Sequence, residues 1–245
     1  MGRVSGKKAF ITGGAQGLGA CFARMLAAEG AKVVVTDVNI AGAEKTAAEI
    51  DRKYPGAAAF CHHDVTKSED WETALGMAAE FMGGISVLIN NAGVGGWGNI
   101  ETETLEGWRR TMEIDVDSIF TGTQAAMPYL KASQPASIIN ISSVAGRTAR
   151  GGASVEYSTN EAGILGLTRR LAVELAPFGI TVNAIAPGLV LTPREKMDEV
   201  ATLCLKHGFQ IWTHAIGDRA NREVLDVLPA TRSMQGGASL VPGVS

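Results

Sequence analysis

Thr12-Gly13-Gly14-Ala15-Gln16-Gly17-Leu18-Gly19 joins a short apolar run, residues 9–12, to a helical pattern over residues 20–29. Gly13, Gly17 and Gly19 form a G-x-x-x-G-x-G spacing, a variant of the dinucleotide fingerprint. Each glycine has its own task in such a turn. Gly13 permits a sharp change of direction, Gly17 lets backbone approach a pyrophosphate, and Gly19 lets helix and sheet pack closely. The helix start, with Gln16, Gly17 and Leu18, then offers unpaired N–H groups and a positive dipole end to phosphate.

Outward from this turn, short β-branched or apolar runs alternate with helix-length segments. Strands are predicted over residues 32–36 (KVVVT), 57–61, 85–89 (ISVLI), 137–141 (SIINI) and 180–185 (ITVNAI). Helical patterns cover residues 41–53, 68–82, about 105–131 and about 155–176. Strands without polar alternation, separated by helices, imply a parallel sheet covered on both faces. The expected fold is therefore α/β, a single doubly wound Rossmann-type sheet with ligands at the carboxyl ends of its strands.

Composition narrows the function classes. The 245 residues are 46% hydrophobic and 19% charged, enough to bury a core and unlike a disordered chain. Lys plus Arg number 22 and Asp plus Glu 25, a net charge of −3, so there is no basic footprint for nucleic acid or an anionic membrane. Cys21, Cys61 and Cys204 are too few and too scattered for a disulfide framework or a zinc knuckle, which suits a reducing compartment. No apolar run reaches the ~18 residues of a membrane span, and the first residues lack the apolar stretch of a signal peptide. A cytoplasmic protein is expected.

Asp37 follows the second predicted strand, 18 positions after Gly19. A carboxylate there can accept hydrogen bonds from an adenosine ribose diol and would repel a 2′-phosphate. No Arg or Lys stands at Ala15, Gln16 or Val38 to offset that repulsion. The cofactor reading is thus NAD rather than NADP.

With these motifs in order, the chain resembles the short-chain dehydrogenase/reductase family over about residues 5–194. The resemblance adds Asp64 and Val65 after the third strand, which in the family contact adenine. It adds Asn91, Ala92 and Gly93 within an Asn-Asn-Ala-Gly motif that lines the cofactor. It also adds Pro187 and Gly188 with Thr192, a turn resembling the family's nicotinamide contact. What it implies is an oxidoreductase acting on a secondary alcohol or ketone, assembling as a homo-oligomer through the helices at 105–131 and 155–176.

At the reaction end the family pattern breaks. The family uses a Tyr as acid/base, a Ser beside it, a Lys four residues after the Tyr and often an upstream Asn. Ser143 and Tyr157 match the first two, with a separation of 14 positions, about one longer than the family's usual spacing. Asp115 stands at the Asn position and Glu161 at the Lys position. A Lys one helical turn from the Tyr favours the phenolate by opposite charge. One unit charge about 5 Å away at an effective dielectric near 20 is worth roughly 3 kcal/mol, and Glu161 reverses its sign. The expectation is impaired catalysis. The alternative is a catalytically silent NAD-binding or interaction protein of the same fold.

The tidy pattern ends near Arg194, giving a dinucleotide-binding core over residues 1–194. Residues 195–245 form an atypical segment expected to pack on the same domain, with a frayed Gly/Ser/Pro-rich tail. Residues 203–227 resemble a strand-to-helix piece of amidohydrolase-type barrels, in which His214 would match a metal ligand. The other histidines, His62, His63 and His207, are not at barrel-ligand spacing, so no metal site is expected. Read plainly, residues 209–213 would be a seventh strand and residues 218–228 a helix.

Overall fold

The computed structural model describes residues 2–96, 98–148 and 153–188. The chain divides into two compact units, Met1–Ala186 and Pro187–Ser245, and the sheet with its helices belongs to the first. Thr192 and the strand and helix expected at 209–213 and 218–228 lie outside the described residues.

Six strands, β1 (Lys8–Thr12), β2 (Lys32–Asp37), β3 (Ala58–His62), β4 (Val87–Asn90), β5 (Ala136–Ile141) and β6 (Ile180–Ile185), form one sheet in the order β3-β2-β1-β4-β5-β6. Every neighbouring pair is parallel. This is the doubly wound Rossmann-type sheet that the sequence pattern predicts. The helices are α1 (Gly17–Ala28), α2 (Ile40–Lys53), α3 (Ser68–Met82), α4 (Leu105–Met112), α5 (Ser118–Ala132) and α6 (Val155–Leu175).

Alternation along the strands sorts their side chains between two cores. Ala9, Ile11, Val33, Val35, Val87 and Ile89 pack with α1 and α2 residues on one face. Phe10, Val34, Leu88, Ile138 and Val182 pack with α3, α5 and α6 residues, including Trp71 and Leu130, on the other. The strands carry apolar residues on both sides because both sides are covered.

The segment expected as one helix over 105–131 is broken. A π-helical turn, Glu113–Asp117, separates α4 from α5 and carries the buried Asp115. Such a turn widens the helix by one residue and re-aims a side chain, frequently at functional sites. Hydrophobic periodicity runs on through it, so sequence alone shows no interruption.

One polar chain crosses the α6 side of the sheet. Asn90 Nδ2 donates to Asn140 Oδ1 at 2.8 Å, Asn140 Nδ2 donates to Thr168 Oγ1 at 3.0 Å, and Thr168 donates to the Ile164 carbonyl at 2.7 Å. All three polar side chains are buried. A network of this kind is stabilising only when every member is satisfied. Asn140→Ala removes the middle link and is expected to cost about 1–3 kcal/mol. Urea denaturation of wild type and variant checks this, and a loss under about 0.5 kcal/mol would contradict it.

Candidate functional site

The sheet order places a switch point between β1 and β4, where the chain turns outward in opposite directions. In open α/β sheets a crevice for ligands forms there. The two strand ends are locked together. Thr12 Oγ1 accepts from the backbone N–H groups of Asn91 and Ala92, both at 3.0 Å. Asn91 Nδ2 donates to the carbonyls of Thr12 and Gly13, both at 2.9 Å. Gly13 has φ +63°, and a Cβ on it would lie 2.8 Å from the Ala92 Cα. Backbone geometry and space both exclude a side chain at Gly13.

Beyond Gly13 the turn opens onto α1. Gly17 has φ +56° and nothing within 4 Å of where a side chain would start. The first residues of α1 receive no side-chain cap from Gln16 and carry no acidic residue in the first turn. Gln16 and Gly17 are exposed, Leu18 is half-buried and Gly19 is buried. The helix end therefore presents unpaired N–H groups and a positive dipole to solvent, the chemistry that holds phosphate.

Asp37 ends β2 beside this turn. Its Oδ2 accepts from the Ala15 N–H at 3.0 Å and its Oδ1 from the Asn39 N–H at 2.9 Å. Those bonds fix the carboxylate beside the glycine turn, and each oxygen keeps a lone pair for a further donor. Phosphate-ready N–H groups next to a diol-ready carboxylate fit an adenine dinucleotide. Asp64 Oδ1 accepts from the N–H and hydroxyl of Thr66, and Val65 is buried with its carbonyl bonded to Trp71 Nε1. Pro187 and Gly188 begin the second compact unit.

A second group of polar side chains gathers around the start of α6. Ser143 follows β5 and caps a short 3₁₀ turn, Val144–Gly146, through the Ala145 N–H. Tyr157 lies in the first turn of α6, whose N-cap Ser154 accepts from its backbone N–H. Glu161, one turn further, is 6% exposed. Asp115 is 3% exposed; its Oδ1 accepts from the Val94 N–H at 2.8 Å and its Oδ2 from Asn160 Nδ2 at 3.1 Å. Asp115 thus ties the loop after β4 to α6.

The electrostatics of this group follow from burial. Withdrawal from water raises the Tyr157 phenol above its ordinary value; the Glu161 carboxylate adds to the rise, and the hydrogen bond with Ser143 opposes it. Burial also lifts Glu161 to about 7, against a hydrogen bond from Ser142 that pulls it down, while Asp115 pushes it up. Asp115 itself is raised by burial, with the Val94 and Asn160 hydrogen bonds opposing.

The structure thus gathers Ser143, Tyr157, Glu161 and Asp115 into one cluster, and gathers the glycine turn, Asp37 and Asn91 into another. Two members of the first cluster escape sequence reasoning, Asn160 and Glu156, both 1% exposed. Their signal is faint: a Glu at a helix start ordinarily faces solvent. No group of three or more His, Cys, Asp or Glu side chains among the described residues could hold a metal ion, and no described helix is long and apolar enough to cross a membrane.

A family model for short chain dehydrogenase matches residues 7–202. The chain is 42% identical over 212 residues to trans-4-hydroxycyclohexanecarboxylate dehydrogenase of Sinomonas cyclohexanicum, covering 84% of this chain and 78% of that protein. It is 41% identical over 192 residues to a 3-alpha-(or 20-beta)-hydroxysteroid dehydrogenase of Mycobacterium tuberculosis, covering 78% and 72% respectively. Among solved structures, carveol dehydrogenase from Mycobacterium avium in complex with NAD superposes with a TM-score of 0.72 at 30% identity, covering 78% of this chain and 74% of that one. None of these matches concerns a barrel hydrolase.

Glu161 couples the site to stability. An unfolded glutamate titrates near 4.5 and the folded Glu161 near 7, so between these values the folded chain keeps a proton that the unfolded chain has lost. Stability from this side chain is greatest at the acid end of that window and falls as pH rises through it, by roughly 3 kcal/mol in all. Urea denaturation between pH 4.5 and 8 is expected to show this fall in wild type and a flatter profile in Glu161→Gln.

Proposed function

The chain belongs to the short chain dehydrogenase family, and from that premise we propose that it is an NAD(H)-dependent oxidoreductase of secondary alcohols and ketones whose acid/base group is held in an unfavourable field. The observation that carries this reading is a glycine turn with Asp37 fixed beside it, in the same chain as a Tyr157 phenol whose loss of a proton is opposed by Glu161 and Asp115. The named relatives, a cyclic hydroxy-acid dehydrogenase and a hydroxysteroid dehydrogenase, support a cyclic alcohol as the substrate class.

The N–H groups at Gln16, Gly17, Leu18 and Gly19 take the pyrophosphate, and Asp37 accepts from the adenosine ribose. Asp64, Val65, Asn91, Ala92 and Gly93 line the remainder, with Pro187, Gly188 and Thr192 assigned to the nicotinamide end. Bound NAD supplies the hydride acceptor and NADH the donor. Tyr157 takes the alcohol proton as the carbinol is oxidised and returns it on reduction. Ser143 donates a hydrogen bond to the substrate oxygen, and Asp115 positions the loop after β4.

Glu161 sets the rate. A phenol accepts a proton from an alcohol only after losing its own, and a neighbouring carboxylate opposes that loss. Partial protonation of Glu161 softens the repulsion without supplying a cation. The same observation favours a second reading, a chain that binds NAD and turns over almost nothing. Assembly with copies of itself also belongs to the proposal. Phe120 on α5 and Val173 on α6, 55% and 69% exposed, supply apolar surface for it.

Calorimetry is expected to show NAD binding, with NADP at least about tenfold weaker because Asp37 meets the 2′-phosphate. Equal affinity for the two would refute the role given to Asp37, and no binding of either would remove both readings. Oxidation of a cyclic secondary alcohol at pH 8 is expected to be slow in wild type and to rise about tenfold or more in Glu161→Lys. Ordinary family rates in wild type, with no gain from the lysine, would overturn the electrostatic account.

A further inference from the structure

Threonines inside a helix ordinarily donate to the carbonyl one turn back, and Thr73, Thr121, Thr159 and Thr168 do so here. Thr46, buried in the second turn of α2, instead reaches out of its helix: its Oγ1 donates to the Ala15 carbonyl in the glycine turn at 3.2 Å. Ala15 is held from its other end as well, because its N–H is the donor to Asp37 Oδ2. The second Asp37 oxygen accepts from the Asn39 N–H, and the Asn39 side chain caps α2 by accepting from the Gly42 N–H at 3.1 Å. Gly42 and Thr46 are one helical turn apart. The bonds therefore close a ring, from Ala15 through Asp37, Asn39 and the first two turns of α2 back to Ala15.

The ring is tight on the α2 side. A Cβ on Gly42 would lie 2.7 Å from the Ala15 Cβ, so a glycine, otherwise unfavourable inside a helix, lets α2 seat against the turn. The other side is open: Asp37 is half-buried, and Gln16, Gly17 and Val38 around it are exposed. A ligand can therefore reach the carboxylate without entering the ring. With both oxygens bonded to backbone N–H groups that are themselves held, the Asp37 side chain keeps one orientation. A carboxylate that must first turn to meet its ligand loses part of the binding free energy to that ordering.

We propose that Thr46 sets cofactor specificity at one remove: by closing the ring it holds the Asp37 carboxylate in the orientation that accepts a ribose diol, so that preference for NAD over NADP needs the α2 brace as well as the acid. The proposal rests on the reading of Asp37 as the ribose acceptor. It goes beyond that reading in assigning Thr46, and the close approach at Gly42, to the same task. Thr46 is a positioning residue, acting through Ala15 and Asp37. Hydrogen bonds to a diol depend on where the carboxylate points, whereas repulsion of a 2′-phosphate depends mainly on its charge and survives a small rotation. Loosening the ring therefore costs NAD and spares NADP.

Calorimetric titration with NAD and with NADP, on wild type, Thr46→Ala, Thr46→Ser and Gly42→Ala, tests the proposal. Thr46→Ala is expected to weaken NAD binding about fivefold and NADP binding less than about twofold. Thr46→Ser keeps the hydroxyl and is expected to stay within about twofold of wild type for both cofactors. Gly42→Ala, which pushes α2 off the turn and leaves every bonding group in place, is expected to follow Thr46→Ala. In an Asp37→Ala background the Thr46→Ala change is expected to alter NAD affinity less than about twofold, since the carboxylate it positions is gone. Thermal melting confirms that the variants fold, and Gly42→Ala carries the test, alone and with Asp37→Ala, if Thr46→Ala does not. Equal weakening of NAD and NADP would mark a merely structural loosening and overturn the proposal. An unchanged preference for NAD, or the full loss persisting in the Asp37→Ala background, would overturn it too. Wild type that binds both cofactors alike, or neither, fails earlier, at the reading of Asp37 itself, and removes the proposal with it.

Discussion

The hydroxyl of Thr12, shared between the N–H groups of Asn91 and Ala92, holds the two halves of the sheet in the relation that everything else requires. Parallel strands diverge at their carboxyl ends once their hydrogen bonds run out, and β1 and β4 send their connections in opposite directions. Without a clamp the gap between them would be an irregular cleft. The Asn91 carboxamide completes the clamp by bonding two successive carbonyls, Thr12 and Gly13. It thereby fixes the glycine turn at the height where α1 begins. The missing side chain at Gly19 allows this, since a Cβ there would meet Asn91 Nδ2.

Around the start of α6 the polar groups are mainly carboxyls. Asp115, Glu156 and Glu161 are all buried in the described structure. Buried acids are tolerated where hydrogen bonds satisfy them, and the three differ in how far that holds. Asp115 accepts two bonds. Glu161 keeps one oxygen unpaired and Glu156 both. The least satisfied acid thus lies against Gly96 in the loop that follows β4. The field that Glu161 sets up opposes ionisation of Tyr157, and the field of Asp115 has the same sign.

Much of the fold was legible because its signals are local and repeated. Uniformly apolar runs such as residues 32–36 identify doubly covered strands, and the glycine spacing after β1 identifies the turn. The position of Asp37 was legible because it depends only on where β2 ends. The π-helical turn at Glu113–Asp117 was not, since a one-residue widening leaves the hydrophobic pattern intact. The burial of Glu156 was equally hidden. It depends on the approach of Gly96, a contact between residues 60 positions apart. Asp115 was found by its place in the pattern, but its bond to Asn160 requires α6 and the π-helical turn to meet in space.

The helix that carries Tyr157 also bears on the state of Glu161. A helix N-terminus favours acidic side chains through its unpaired N–H groups, but the effect fades within the first turn. Glu161 stands beyond it, so the dipole gives it little help and burial raises it to about 7. A lysine at the same place would pay a similar desolvation cost but would gain from Asp115 and from a phenolate at Tyr157. The glutamate gains from neither. Under the proposed reading, the glutamate therefore disfavours loss of the Tyr157 proton where a lysine would favour it.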